Sequence, residues 1–341
     1  MSVTTPPATQ PHTPLDDALD HLRTAHLEYG PGFSDHGPMV VEALDLIGRS
    51  DAVAPWLDHY APRLDRLGER DEPLESMWIE RLEREIAIEP WRAVVRRRVS
   101  QLTGATASAA GHGLLRTAHA VRGLSRCDTP TRRFELARAL AYWEWRAERI
   151  GDITIGGGRP PLDVLSDLSA MVAPTSIDGM ISDRLRGVVT PAFVEAVESV
   201  DLAGDLAADP AGALTRITSV AARGLTSAPP AGRFATLHGL TSSIAARDLL
   251  GLLPPADQRR LVAGVWTTVA ALWAAYGGQA PLAPGLTEAA PCCETLVERA
   301  ITSGDEHAIK AAVAVWSEEQ ATGDRPELRS AAAAALAWFG A

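Results

Sequence analysis

An all-α fold is what this chain predicts, and three observations carry the prediction. Apolar residues recur at three- and four-residue spacing almost throughout. Period-2 alternation and hairpin dipeptides between β-branched runs are nearly absent. The 24 prolines and 28 glycines divide the 341 residues into helix-length pieces. No repeat of constant period marks a solenoid. The expected architecture is a single irregular multi-helix bundle over 15–341, preceded by a disordered tail over 1–14 that is rich in Pro, Thr and Gln.

Taken in order, Leu15, Leu19 and Leu22 share one face of a first helix. The stretch G-P-G-F-S-D-H-G-P-M, 30–39, reads as a tight turn. Ser34 or Asp35 can cap the helix after it, whose apolar face is Val40, Ala43, Leu44 and Ile47 and whose end is Gly48. Amphipathic helices follow over 52–68, 74–87 and 91–102, with Pro73 and Pro90 at their starts. The helix expected over 107–124 is built of small residues, which predicts close packing inside the protein.

A long helix from Thr131 to Ile150 leads into the loop G-D-I-T-I-G-G-G-R-P-P. Its glycines are no phosphate cradle, because neither G-x-G-x-x-G nor G-x-x-x-x-G-K-[ST] occurs. Shorter helices fill 162–224, interrupted by Pro174, Pro191 and Pro210, and two longer ones cover 233–250 and 255–276. After a G-G-Q-A-P-L-A-P-G loop, helices are expected over 289–302, 305–320 and 326–338.

A net charge of −11 argues against a general nucleic-acid binder, which needs clustered positive charge. The one dense basic run, Arg96 to Arg98, reads as a solvated helix face. No apolar run reaches the roughly 18 residues of a membrane span. The opening residues also lack the basic start and apolar middle of a secretory signal, so a cytoplasmic protein is expected. Cys127, Cys292 and Cys293 form neither a disulfide framework nor a C-x-x-C pair, and read as small core residues. Most of the nine tryptophans should be core.

Lys310 is the only lysine; the other 31 basic residues are arginine. A buried lysine amine can lose its proton and react, whereas a guanidinium stays charged. His307 lies one turn before it on the same helix face. Three further histidines stand in unusual contexts: His36 in the glycine-proline turn, His112 between Gly111 and Gly113, and His238 beside Gly239. Each alone could be an ordinary packing histidine. Together, from four separate helices, they could converge on a metal in a bundle core. Lys310 could pair with a carboxylate there, or combine with carbon dioxide and offer a carboxylate-like oxygen.

His119 and Arg116 lie along the face that carries His112, as candidate catalytic or substrate-contact groups. Trp316, on the helix of His307, is a candidate for an aromatic substrate pocket. His21, His26 and His59 have polar neighbours and read as surface residues. H-E-x-x-H and G-x-S-x-G are absent, and no serine or cysteine is marked as a nucleophile, which leaves zinc-peptidase and acyl-transfer chemistry without support.

At H-L-E-Y-G-P-G-F-S-D-H-G-P-M with E-A-L-D-L-I-G, G-H-G-L-L-R-T-A-H-A-V-R, L-H-G-L-T-S-S and S-G-D-E-H-A-I-K-A-A, the chain resembles the questin oxidase-like family, which includes fungal ring-cleaving oxidases of anthraquinone and aflatoxin pathways and actinobacterial relatives. The patches occur in order between about residues 20 and 320.

The resemblance implies an all-helical non-haem iron(II) oxygenase of secondary metabolism. It would use dioxygen to cleave a carbon-carbon bond of a polycyclic aromatic, anthraquinone-like polyketide, with a Baeyer-Villiger-type or dioxygenase-type outcome. It further implies iron held by His36, His112, His238, His307 and a carboxylated Lys310. Arg116 stands where some fungal members carry another histidine. A requirement for NADPH, the substrate itself and the oligomeric state are left open. Two other readings stand beside this one: a non-catalytic helical ligand-binding or scaffold protein, and a metal-dependent hydrolase.

Overall fold

Side-chain caps and early prolines start many of the helices. The computed structural model describes residues 13–68, 73–151, 153–171, 179–278, 282 and 290–340. Thr13 accepts from the Asp16 amide while the Asp16 carboxylate accepts from the Thr13 amide, a capping box that begins α1 (Pro14–Leu22). Thr13 and Pro14 therefore belong to a helix rather than to the tail, whose remaining residues, 1–12, lie outside the described part.

The turn expected over 30–39 begins inside a two-stranded antiparallel hairpin, β1 (Glu28–Tyr29) just before it and β2 (Phe33–Ser34) within it. Asp35 Oδ1 then accepts from the Gly37 amide at 2.8 Å, and α2 (Gly37–Leu46) begins directly after His36. Next come α3 (Val53–Tyr60), α4 (Pro73–Ile88) and α5 (Trp91–Leu102). α3 stops short of 68 because Pro62 removes an amide donor and the chain tightens into a 3-10 turn.

α6 (His112–Arg126) begins five residues later than expected. Ala109, Ala110 and Gly111 all adopt left-handed backbone, φ 48°, 58° and 90°, so His112 is the first residue of the helix rather than part of its interior. α7 (Pro130–Trp145) is capped by Thr129 and ends before 150. The middle of the chain forms α8 (Pro161–Met171), α9 (Ile181–Val188), α10 (Pro191–Glu198), α11 (Ala203–Ala208) and α12 (Pro210–Ser227). The expected helix over 233–250 is two, α13 (Pro230–Ala245) and α14 (Arg247–Leu250). α15 (Pro255–Tyr276), α16 (Cys293–Ser303), α17 (Glu306–Thr322) and α18 (Pro326–Trp338) complete the chain. Most of the glycine-proline loop expected between α15 and α16 lies outside the described residues.

The fold is all-α, with one continuous apolar core in which Trp143, Trp266 and Trp273 are fully enclosed. At its centre α2 packs on α6, α6 on α13, α13 on α17, and α17 back on α2. That closed ring of four helices positions the site. Among the described residues no helix is long and apolar enough to cross a membrane.

Three surface and core expectations change. His26 is 2% exposed and meets the Glu75 carboxylate, so it is a core residue. Arg97 and Arg98 are not merely solvated, because they pair with Glu85 of α4 and Arg97 also with Glu89 just after it. Cys293 is buried as expected, but Cys292 is exposed. Most of the tryptophans are buried as expected, and Trp338 is exposed.

Candidate metal centre

Three helices of the central ring, α6, α13 and α17, carry one histidine each and His36 stands at the start of the fourth, α2, and the rings meet in the same cyclic order as the helices. Ring centroids are 4.7 Å apart for His36 and His112, 4.9 Å for His112 and His238, 5.8 Å for His238 and His307, and 4.6 Å for His307 and His36. Four imidazoles bound at right angles round one ion through bonds of about 2.1 Å would stand roughly 4.5 Å apart, centroid to centroid. The spacing thus fits one ion better than a separated pair.

Local structure sets the orientation of each ring. The left-handed turn before α6 brings the Ala109 carbonyl to Nδ1 of His112 at 2.6 Å. Within α13, Nδ1 of His238 meets the Phe234 carbonyl at 2.9 Å. A carbonyl only accepts, so both rings carry the proton on Nδ1 and a lone pair on Nε2. Nε2 of His112 faces Nε2 of His36 at 2.7 Å, while Nε2 of His238 and of His307 are buried with no hydrogen-bond partner. Buried, unpartnered nitrogen lone pairs are costly unless something binds them.

All four histidines are 8% exposed or less. Burial above all, then neighbouring positive charge that includes Lys310, holds His36, His112 and His307 well below the usual histidine range and His238 down to about 4. All four rings are therefore neutral, as metal ligation requires. Lys310, 5% exposed, is pushed down to about 8 by burial, against the opposing charges of Glu306 and Asp305.

No protein-family model matches the chain, and no curated protein matches it significantly.

The four histidines all line a cavity of about 730 Å³. Phe33, Trp145, Met180, Ile181 and Phe234 make part of its wall apolar and aromatic, and charged residues such as Arg146, Glu148, Asp183 and Arg186 make up another part. Phe339 stacks on His307 from the other side, with centroids 5.4 Å apart. Lys310 is not among the lining residues, although its charge bears on all four rings. A depression of similar size, about 720 Å³, lies beside Thr190 and Glu195, is open to solvent, and has no histidine in its wall.

Three other candidates stand elsewhere. Arg116 is 1% exposed and donates to Glu135 at 2.7 and 3.0 Å, with Asp35 at 3.6 Å. His119 bonds Glu42 at 2.7 Å, where Arg122 also binds. Both lie further along α6, among ion pairs that join it to α2 and α7, and neither lines the cavity. Trp316 is half-buried against the core and does not line the cavity either.

Conversely, sequence reasoning missed Glu306, which lines the cavity beside His36 and His307. Its signal was its place directly before His307 in the singled-out E-H-A-I-K. Arg63, which bonds Glu306, and Tyr29, whose hydroxyl accepts from Arg63, had no signal in the sequence.

Proposed function

We propose that the protein is a non-haem iron(II) oxygenase that uses dioxygen to open a ring of an anthraquinone-like polycyclic aromatic substrate in secondary metabolism. One observation carries the reading: four neutral, buried imidazoles, from three helices and the start of a fourth, cluster together in the wall of a large cavity that also has aromatic residues in its lining. The resemblance in sequence supplies the chemistry.

His36, His112, His238 and His307 would hold the ion, with Lys310 as its carbamate giving an anionic oxygen. Iron(II) in such a nitrogen and oxygen donor set supplies a redox centre for dioxygen. Burial keeps a share of the Lys310 amine uncharged near neutral pH. The amine can then attack carbon dioxide and lose a proton, leaving the carbamate. The apolar lining around Trp145 and Phe234 favours a flat aromatic ring over water.

Protein purified without added metal and reconstituted anaerobically should take up stoichiometric iron and then consume dioxygen with an anthrahydroquinone; a protein that holds no iron sinks the proposal. Lys310→Arg keeps the charge but forms no carbamate, so iron content and turnover should both fall sharply. Unchanged values would remove Lys310 from the mechanism. A second reading, a metal-dependent hydrolase, is favoured by Glu306 beside His36 and His307. Dioxygen uptake separates it from the oxygenase, because hydrolysis consumes none.

A further inference from the structure

His36 differs from His112 and His238 in having no carbonyl against its Nδ1. That nitrogen is buried, has no hydrogen-bond partner, and faces Oε1 of Glu306 at 3.7 Å. The carboxylate is firmly held, since Arg63 donates Nη1 to Oε2 at 3.1 Å and Nη2 to Oε1 at 3.0 Å. Arg63 also donates to the Tyr29 hydroxyl at 2.9 Å.

Counting protons on the neutral His36 ring shows what this arrangement lacks. With the proton on Nε2, His36 can donate to His112, but its Nδ1 lone pair then points at a carboxylate. With the proton on Nδ1, that conflict becomes an attraction, but the Nε2 lone pair then faces the Nε2 lone pair of His112 at 2.7 Å. A metal cation bound by both Nε2 atoms relieves both contacts at once. Closing the Nδ1 to Oε1 gap to a normal hydrogen bond requires a movement of just under about 1 Å.

We infer that Glu306 is the positioning residue of His36, its carboxylate accepting the Nδ1 proton so that Nε2 is presented to a metal ion, with Arg63 holding the carboxylate in place. The inference rests on the metal reading above and goes beyond it. It makes Glu306 a partner of a ligand rather than a ligand, the role carbonyl oxygens play for His112 and His238.

Cobalt(II) binding by the full chain tests this, with affinity read by competition against a chromophoric chelator and ring N–H protons read by paramagnetic proton NMR. In Glu306→Gln the single acceptor oxygen is claimed by Arg63. Cobalt affinity should fall about 10- to 100-fold. The exchangeable Nδ1 proton of His36 should shift or vanish while those of His112 and His238 stay in place, which a general loosening of the fold would not produce. Circular dichroism of the metal-free variant checks the fold. Should Glu306→Gln fail to fold, Glu306→Asp keeps the charge and withdraws it by one methylene, and a smaller change in the same two readouts is expected. Wild-type affinity and an unmoved His36 resonance in the folded variant overturn the inference alone. A wild-type protein that binds no cobalt overturns the metal reading, and this inference with it.

Discussion

Glu42 and Asp35 are both buried carboxylates flanking the site, and their surroundings drive them in opposite directions. Burial pushes both up. At Asp35 it outweighs the charges of Arg116 and Arg138, and the carboxyl is raised. At Glu42 the Arg122 charge and hydrogen bonds from His119 and Arg122 more than offset it, and the carboxyl lies well below the usual range. A depressed folded-state value means that Glu42 contributes stability fully above its unfolded value near 4.5, and loses it as pH falls through the folded value. Glu42→Gln should therefore cost about 3–5 kcal/mol at pH 7, because Arg122 is left partly uncompensated. Urea unfolding at pH 7 and pH 4 should show the cost shrinking on acidification; an equal cost at both would place the effect in packing. This cluster also shows where reading side chains from sequence stops. His112, Arg116 and His119 were grouped because they follow one another along one helix. The first faces the cavity, and the other two face α2 and α7. Helical spacing says which residues share a face, and only tertiary packing says what that face meets.

Among the elements, α6 carries the strongest steric constraint. A Cβ built on Gly113 would fall 2.6 Å from the Trp143 ring and 2.9 Å from its Cα, where α6 and α7 touch. The ring cannot easily move away, since Trp143 Nε1 donates to the Ala105 carbonyl at 2.8 Å. Gly113→Ala should destabilise by about 1–3 kcal/mol through overpacking, measured by denaturant titration. A neutral result would mean that the two helices can separate. Close packing of this helix was legible from its small residues, and most other helices were legible from Pro, Thr or Asp at their starts. The left-handed run before His112 was not. Nothing in S-A-A-G announces that two alanines will take a conformation that glycine adopts more readily. Nδ1 of His112 bonds the Ala109 carbonyl across the run, and Gly111 lets it pack closely on α13, since a Cβ there would lie 2.5 Å from Ser242 Oγ. Backbone strain at such a turn costs of order 1–3 kcal/mol per residue, and here it goes with the orientation of the His112 ring.

At the scale of the molecule, the histidines are joined only through the ring of α2, α6, α13 and α17. An ion bound by all four should therefore stabilise the whole fold. By linkage, iron(II) at a thousandfold excess over its dissociation constant adds about 4 kcal/mol, seen as a raised melting temperature that a chelator reverses. In His238→Ala that increment should largely disappear; an equal increment would mean that iron binds elsewhere. The convergence of His36, His112, His238 and His307 was legible from glycine contexts, the solitary lysine and the family resemblance. The support from Glu306 and Arg63 was not, because these two lie 243 residues apart and meet only in the folded chain. The same long separations set a clock. His36 and His307 are 307 − 36 = 271 positions apart, so at about 5–20 residues per second the ribosome needs roughly 15 to 55 s to make the last member of the ring after the first. For the part of that interval after His112 has been made, roughly 10 to 40 s, α2 and α6 are present without α17, and the pair His36 and His112 lacks the helix that carries His307.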